Sequence, residues 1–325
     1  MNDKLAFHSL NDESIYIHVF ERYMELEAYI DELDQNLGIV ARDTTTVQLE
    51  ISRDNINDFY DNYSLQVRQS LTSLNSSKDN NNSTTGYVLW NSTPFFIKWL
   101  LYDDDAEVLR NGGEANLLES ENCVSLKIDP LFTGDKNTCI IELGSGVSGV
   151  MATILANYVR KYVVTDQKGI IKKLTENLLN NKEQVRRRRI ISQSNSALNT
   201  FRKTELLCNL EILALDWEIF CNPKITIDNV LLPEEGCNSV YITAFDVIYN
   251  EYLITPFVAT LSKLLHWYVN MKDIKAAALI VVQLRTQDVL QCFLETVTIK
   301  YELKCHHLVN SQLQKSRFAV YYITL

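Results

Sequence analysis

The sequence predicts an α/β protein built on a doubly wound sheet, parallel through its middle and antiparallel at its C-terminal end. Three observations carry this. Short apolar β runs alternate with amphipathic helical patterns from residue 139 to about residue 300, as βαβ units require. Two β runs then follow in succession, Tyr301–Val309 and Arg317–Leu325, which suits an antiparallel pair at the sheet edge. The stretch Cys139–Asp166 also condenses one whole unit. The apolar run Cys139-Ile140-Ile141 leads into Glu142-Leu143-Gly144-Ser145-Gly146-Val147-Ser148-Gly149. A helical pattern carrying Met151, Ile154, Leu155 and Tyr158 follows, and then a second β run, Tyr162-Val163-Val164-Thr165, ending on Asp166. Strand, glycine turn, helix, strand and acid form a Rossmann-like unit with a ligand site at its switch point.

Length and composition set the bounds. A chain of 325 residues, 46% hydrophobic and 22% charged, can bury a sizeable core. It contains no apolar run long enough to span a membrane, and Met1–Leu10 has neither a basic start nor an apolar signal core. A cytoplasmic location is therefore expected. Seven cysteines with no C-x-x-C pair fit reduced thiols, and five histidines form no ligand set at zinc spacing, so no metal is expected. A net charge of −10 disfavours a nucleic-acid surface and suits a basic protein partner, although simple solubility explains acidity equally well.

Taken in order, residues 12–37 carry one apolar stripe, Ile15, Val19, Tyr23, Leu26, Ile30, Leu33 and Leu37. This predicts a helix capped by Asn11 or Asp12 and ended by Gly38. Val47–Ile51 and Tyr63–Val67 alternate as a hairpin would, and the polar stretch Asn75–Thr85 reads as a loop. Residues 1–85 are thus expected to be an extension packed on a main domain of residues 86–325. Pro94 opens a helix with Phe95, Phe96, Trp99 and Leu100 inward, and Gly112-Gly113 marks an irregular stretch.

Beyond Asp166, a helix bearing Ile170, Ile171, Leu174 and Leu178 runs out into Arg186–Arg189. That run matches a nuclear address, and equally the solvated C-terminal end of a helix. Leu207–Trp217 reads as a strand followed by a loop to Asn238, and Ser239–Phe245 as another strand. Thr255 then caps a helix with Pro256 at its first position, Ala277–Val282 is a fully apolar strand, and Asp288 caps the next helix.

A G-x-G-x-x-G turn serves both dinucleotides and S-adenosylmethionine. Glu142 tips the balance. A carboxylate beside the turn repels a pyrophosphate but favours the ammonium and sulfonium of S-adenosylmethionine. A methyl-donor site is the first reading, with a nicotinamide-dependent oxidoreductase as alternative and a catalytically silent binding module as a third. Asp166, at the next strand's tip, can accept from two ribose hydroxyls.

Five segments in this order, Gly86–Trp90, Glu142–Gly149, Asp166, Asp216-Trp217 and Asp246–Tyr249, resemble the seven-β-strand protein-lysine methyltransferases of methyltransferase family sixteen. The likeness is strongest to the fungal ribosomal-protein lysine methyltransferases, through Thr84–Trp90, Thr165–Gly169 and Asp246–Tyr252, and it runs over most of residues 12–325. It implies a class I, seven-stranded methyltransferase sheet and transfer of methyl to a lysine ε-amine of a large-subunit ribosomal protein, by a monomer.

By the same resemblance Trp90 and Trp217 line the cofactor pocket, Gly144, Ser145 and Gly146 contact the methionine part, and Asp166 binds ribose. Phe245 contacts the cofactor through its backbone, and Asp246 and Tyr249 stand at the methyl-transfer centre. In that role Asp246 would orient the amine and Tyr249 would wall it in. Trp90 and Trp217 also suit ordinary core positions, and Asp246 a turn cap. The chemistry needs no strong base, because burial and a neighbouring sulfonium both lower the lysine pKa.

Overall fold

A computed structural model describes residues 5–33, 38–53, 62–74, 85–118, 125–132, 137–185 and 209–325. Twelve strands occur among them: β1 (Ala6–Leu10), β2 (Thr46–Ile51), β3 (Tyr63–Arg68), β4 (Gly113–Leu117), β5 (Ser125–Ile128), β6 (Thr138–Leu143), β7 (Lys161–Asp166), β8 (Asn209–Ala214), β9 (Ser239–Phe245), β10 (Lys275–Gln283), β11 (Lys304–Val309) and β12 (Phe318–Thr324). Ten of them form one sheet in the order β5-β4-β1-β11-β12-β10-β9-β6-β7-β8, and β2 and β3 pair separately. β8, β7, β6, β9 and β10 run parallel, with β6 against both β7 and β9, which is the doubly wound switch point. β12 and β11 close this core antiparallel.

The apolar runs of the sequence become strands because both faces of the sheet are covered. Every residue of β6 and of β9 is buried. Ile140 points into a cluster with Phe96, Met151 and Leu174, while its neighbour Ile141 points into one with Ile15, Phe257 and Phe293. One layer therefore holds the helices Ser92–Tyr102, Val150–Leu155 and Lys168–Asn180 with the β2–β3 hairpin. The other holds Asp12–Ala28, Glu251–Val269 and Gln287–Glu295. The hairpin is fixed by Asn177 and Asn181, one helical turn apart. Their side-chain oxygens accept from the amides of Arg68 and Gln66 at 2.9 Å, satisfying the edge of β3.

Several expectations need correction. β1 lies where the sequence reading placed no element. It pairs antiparallel with β11 (Phe7 opposite Leu308) and parallel with β4, so three further strands continue the sheet past the closing pair. β1 spans only five residues, too few for periodicity to register, and β4 starts on the Gly113 of the stretch read as irregular.

The first helix, capped by Asn11, ends at Ala28 instead of residue 37, and a 3-10 turn Ile30–Glu32 follows. Gly38 is thus no helix terminator: at φ 78° it stands beside an isolated antiparallel bridge, Ile39–Trp90. The later helix begins at Glu251, because the Asn250 side chain accepts from the Tyr252 amide, which leaves Pro256 inside the helix. Thr286, not Asp288, holds the next N-cap position. Arg186–Arg189 and residues 75–84 of the predicted loop lie outside the described residues. Among the described residues no helix is long and apolar enough to cross a membrane, and no His, Cys, Asp and Glu cluster could hold a metal.

Candidate active site

The C-terminal ends of β6, β7, β9 and β10 come to one rim, and the chain leaving β6 turns there on glycines. Gly144, Gly146 and Gly149 have φ of 73°, 60° and 61°. The amides of Gly144 and Ser145 both donate to the Thr165 carbonyl at 3.0 Å, which wraps the turn over the end of β7. At Gly144 a side chain has no room, since a Cβ would stand 2.8 Å from Val247 Cγ1 and 3.0 Å from Trp217 Cζ2. At Gly146 a Cβ would stand 3.2 Å from the Gly86 carbonyl oxygen, which accepts from the Val147 amide at 2.8 Å. The segment before Trp90 is thereby laced to the turn.

These elements enclose a cavity of about 780 Å³, counting its open mouth. Nine of the ten residues singled out from the sequence line it: Trp90, Gly144, Ser145, Gly146, Asp166 and Trp217, with Phe245, Asp246 and Tyr249 on the β9 side. Asp166 accepts the Gly146 amide at 2.8 Å through one oxygen and the Gln167 amide at 2.7 Å through the other. It keeps some surface towards the cavity, while the enclosed carboxyl is pushed up to about 6 by burial, against the pull of those two bonds. Trp217 follows the N-cap Asp216, which turns its ring towards Gly144 and edge-on to Phe257 at 5.1 Å. Its buried indole N–H has no hydrogen-bond partner among the described residues. The Phe245 ring packs on Phe96 at 5.5 Å, so its side chain belongs to the core as well as to the wall.

Glu142 is the exception. It does not line the cavity but lies buried beneath the turn, where the Tyr162 hydroxyl donates to it at 2.8 Å. Burial, reinforced by the charge of Asp166, raises its carboxyl to about 7 against that hydrogen bond. Its placement follows from strand alternation, which sends its side chain to the same face as Ile140.

Asp246 leaves β9 in a left-handed conformation, φ 58°, with its amide donating to the Val281 carbonyl of β10 at 2.7 Å. Its carboxylate is held by both terminal nitrogens of Arg285, Nη2 to Oδ2 at 2.6 Å and Nη1 to Oδ1. Burial raises this carboxyl and the guanidinium opposes the rise. Tyr249 is tied to the N-terminal side of the site, accepting from Thr85 Oγ1 at 2.6 Å, while the Trp90 indole N–H donates to the Thr85 carbonyl at 2.9 Å.

Sequence reading missed Thr85 and Arg285. The sequence shows Arg285 only as a cation shortly past the apolar run Ala277–Val282, and it is the pairing of that strand with β9 that brings it to Asp246. The glycine floor, an acid with lone pairs to spare and an indole N–H without a partner suit a ligand bearing a ribose diol and a flat base.

No family model matches the chain. Curated relatives do. The chain is 44% identical over 317 residues to a ribosomal lysine N-methyltransferase 5 of Eremothecium gossypii, covering 97% of this chain and 98% of that one. It is 40% identical over 322 residues to the protein of the same name from Kluyveromyces lactis, with the same coverage. A third, from Saccharomyces cerevisiae strain RM11-1a, is 38% identical over 364 aligned positions, again covering 97% and 98%.

Proposed function

The chain belongs to the ribosomal lysine N-methyltransferase 5 family of protein-lysine methyltransferases, and from that premise we propose that it moves a methyl group from S-adenosylmethionine to a lysine ε-amine of a large-subunit ribosomal protein. The observation that carries the reading is the convergence of the glycine turn, Asp166, Trp217 and the Asp246–Tyr249 segment on one cavity at the switch point of the sheet.

The residues present fit the methyl donor. Asp166 has lone pairs left for ribose hydroxyls after accepting two amides. Trp217 offers a ring face and an N–H for an adenine, and Gly144–Gly146 let backbone approach the methionine part. When bound, the donor supplies a sulfonium-activated methyl group. The chain's own task is to position the acceptor and keep it neutral. Deprotonating a lysine of pKa 10.4 at pH 7 costs about 4.6 kcal/mol, which burial in the cavity reduces. Trp90 and Tyr249 supply aromatic walls for its alkyl chain. Asp246, read from the sequence as the group that orients the amine, has both oxygens engaged by Arg285 and would act on the acceptor only through that residue. The net charge of −10 complements a basic ribosomal substrate.

The test is incubation with labelled methyl donor and large-subunit ribosomal proteins from cells lacking the enzyme. One protein should be labelled on lysine. Label confined to ribosomal RNA, or none, would sink the reading.

A further inference from the structure

Arg285 sits two residues past β10, beside three residues that line the cavity, Asp246, Trp90 and Tyr249. Its Nη2 lies 2.6 Å from Asp246 Oδ2 and 2.9 Å from Gln283 Oε1, while its guanidinium carbon stands 5.2 Å from the Trp90 ring centre and 5.9 Å from that of Tyr249. The guanidinium is thus clasped by one carboxylate, one amide and two aromatic faces, the surroundings that would also hold a lysine ammonium. The Asp246 side chain is 0% exposed and that of Arg285 27%, so of the pair only the guanidinium reaches solvent.

A bare carboxylate here would defeat the reaction, because it stabilises the ammonium at a site that needs the free amine. Resting on the lysine-methyltransferase reading above, we infer that Arg285 is a positioning residue for methyl transfer: it covers Asp246 and so admits the acceptor lysine as a neutral amine. The entering ammonium gives one proton to water, and no other bond changes in that step. The other groups near Arg285 are Tyr249 beside it and Tyr23 from the first helix, and Tyr23 in turn feels Asp288 from the helix that follows. Burial pushes the Tyr23 phenol up to about 12, so it stays neutral, and Asp288 is exposed to solvent. Across the cavity stand Asp166, Asp216 and Glu218.

Three variants test this: Arg285→Gln, Arg285→Lys, and the double variant Asp246→Asn with Arg285→Gln. Methylation of large-subunit ribosomal proteins from cells lacking the enzyme is followed as kcat from pH 6 to 9.5, because kcat reports the groups of the bound complex. Affinity for S-adenosylhomocysteine and circular dichroism are recorded alongside. Arg285→Gln bares the carboxylate. It should lose about tenfold or more at pH 7, with the acidic limb of its profile moved up by about one pH unit, so that the loss shrinks towards pH 9.5. Product affinity should stay within about threefold. Arg285→Lys should recover part of the loss, and the double variant more than half, because it has no carboxylate to uncover.

An Arg285→Gln profile parallel to the wild type, or a double variant as impaired as the single one, would show that Arg285 only braces the fold. Should Arg285→Gln not fold, the double variant decides: an unshifted acidic limb supports the inference and an upward shift overturns it. Wild-type protein that labels no ribosomal protein would sink the proposed function, and this inference with it. Wild-type labelling with parallel profiles sinks the inference alone.

Discussion

The amide of Gly146 donates to Asp166 Oδ2 at 2.8 Å, and this bond ties the glycine turn after β6 to the tip of β7. The acid at the strand end therefore has two functions. It shapes the turn that would face the methionine part of the donor, and it turns its remaining lone pairs to the cavity.

Asp166→Ala should remove both. Affinity for S-adenosylhomocysteine should fall by on the order of 1–3 kcal/mol, as expected for a lost charge-assisted contact, and calorimetry reads it directly. Protonation turns one carboxyl oxygen into a donor and weakens the other as an acceptor, so the ionised form holds two hydroxyls more tightly. Since burial pushes this carboxyl up to about 6, wild-type affinity should weaken as pH falls from 7 to 5. Asp166→Ala should lack that pH dependence. Equal slopes in the two proteins would remove Asp166 from the donor site.

Gly144→Ala should damage the pocket floor. The residue sits at φ 73°, and a Cβ would press on Val247 Cγ1 at 2.8 Å and Trp217 Cζ2 at 3.0 Å. Left-handed strain of about 1–2 kcal/mol adds to an overpacking cost of about 1–3 kcal/mol. The melting temperature should drop and donor affinity should fall with it, because the ring that must move is Trp217. Unchanged affinity would show that this floor plays no part in binding.

Glu142→Gln should make stability less sensitive to alkali. The native carboxyl keeps its proton up to about pH 7, whereas in the unfolded chain it loses it near the ordinary value of 4.5. Between these values the unfolded state deprotonates first, so the contribution of Glu142 to stability falls as pH rises, by on the order of 3 kcal/mol in all. The amide cannot ionise and still accepts from Tyr162. Relative to wild type, the variant should gain stability between pH 5 and pH 8 in urea titrations. A constant difference would mean that Glu142 is ionised in the native protein throughout. Comparison with the variant is needed because the buried His18, pushed down to about 3 by burial, makes stability fall as acid rises over a neighbouring range.

Asp246→Ala should cost more stability than Asp246→Asn. Alanine leaves Arg285 without its carboxylate and suffers the left-handed backbone at φ 58°. Asparagine tolerates that conformation and keeps one acceptor. Because Arg285 can turn to solvent, the alanine loss should be about 2 kcal/mol, below that of a fully buried pair. Equal denaturation midpoints for the two variants would show that neither the pair nor the backbone conformation is strained by the change.

What the sequence determined by itself was the local part of this molecule. Apolar runs such as Ser239–Phe245 became strands with the expected bounds, because a strand covered on both faces has no choice of composition. Gly144, Gly146 and Asp166 met at one rim because glycine spacing and strand length force that geometry within a single βαβ unit. The tertiary structure decided what depends on residues far apart in the chain. Five residues of β1 carry no periodic signal, and only pairing with β11 makes them a strand. Thr85 reaches Tyr249 across 164 positions, and Arg285 closes over Asp246 only because β10 lies beside β9. Glu142, read as a donor contact, went beneath the turn to Tyr162, because the pleat of β6 fixes the face to which its side chain points. Such contacts are settled by strand order and side-chain direction in three dimensions, and no local pattern encodes them.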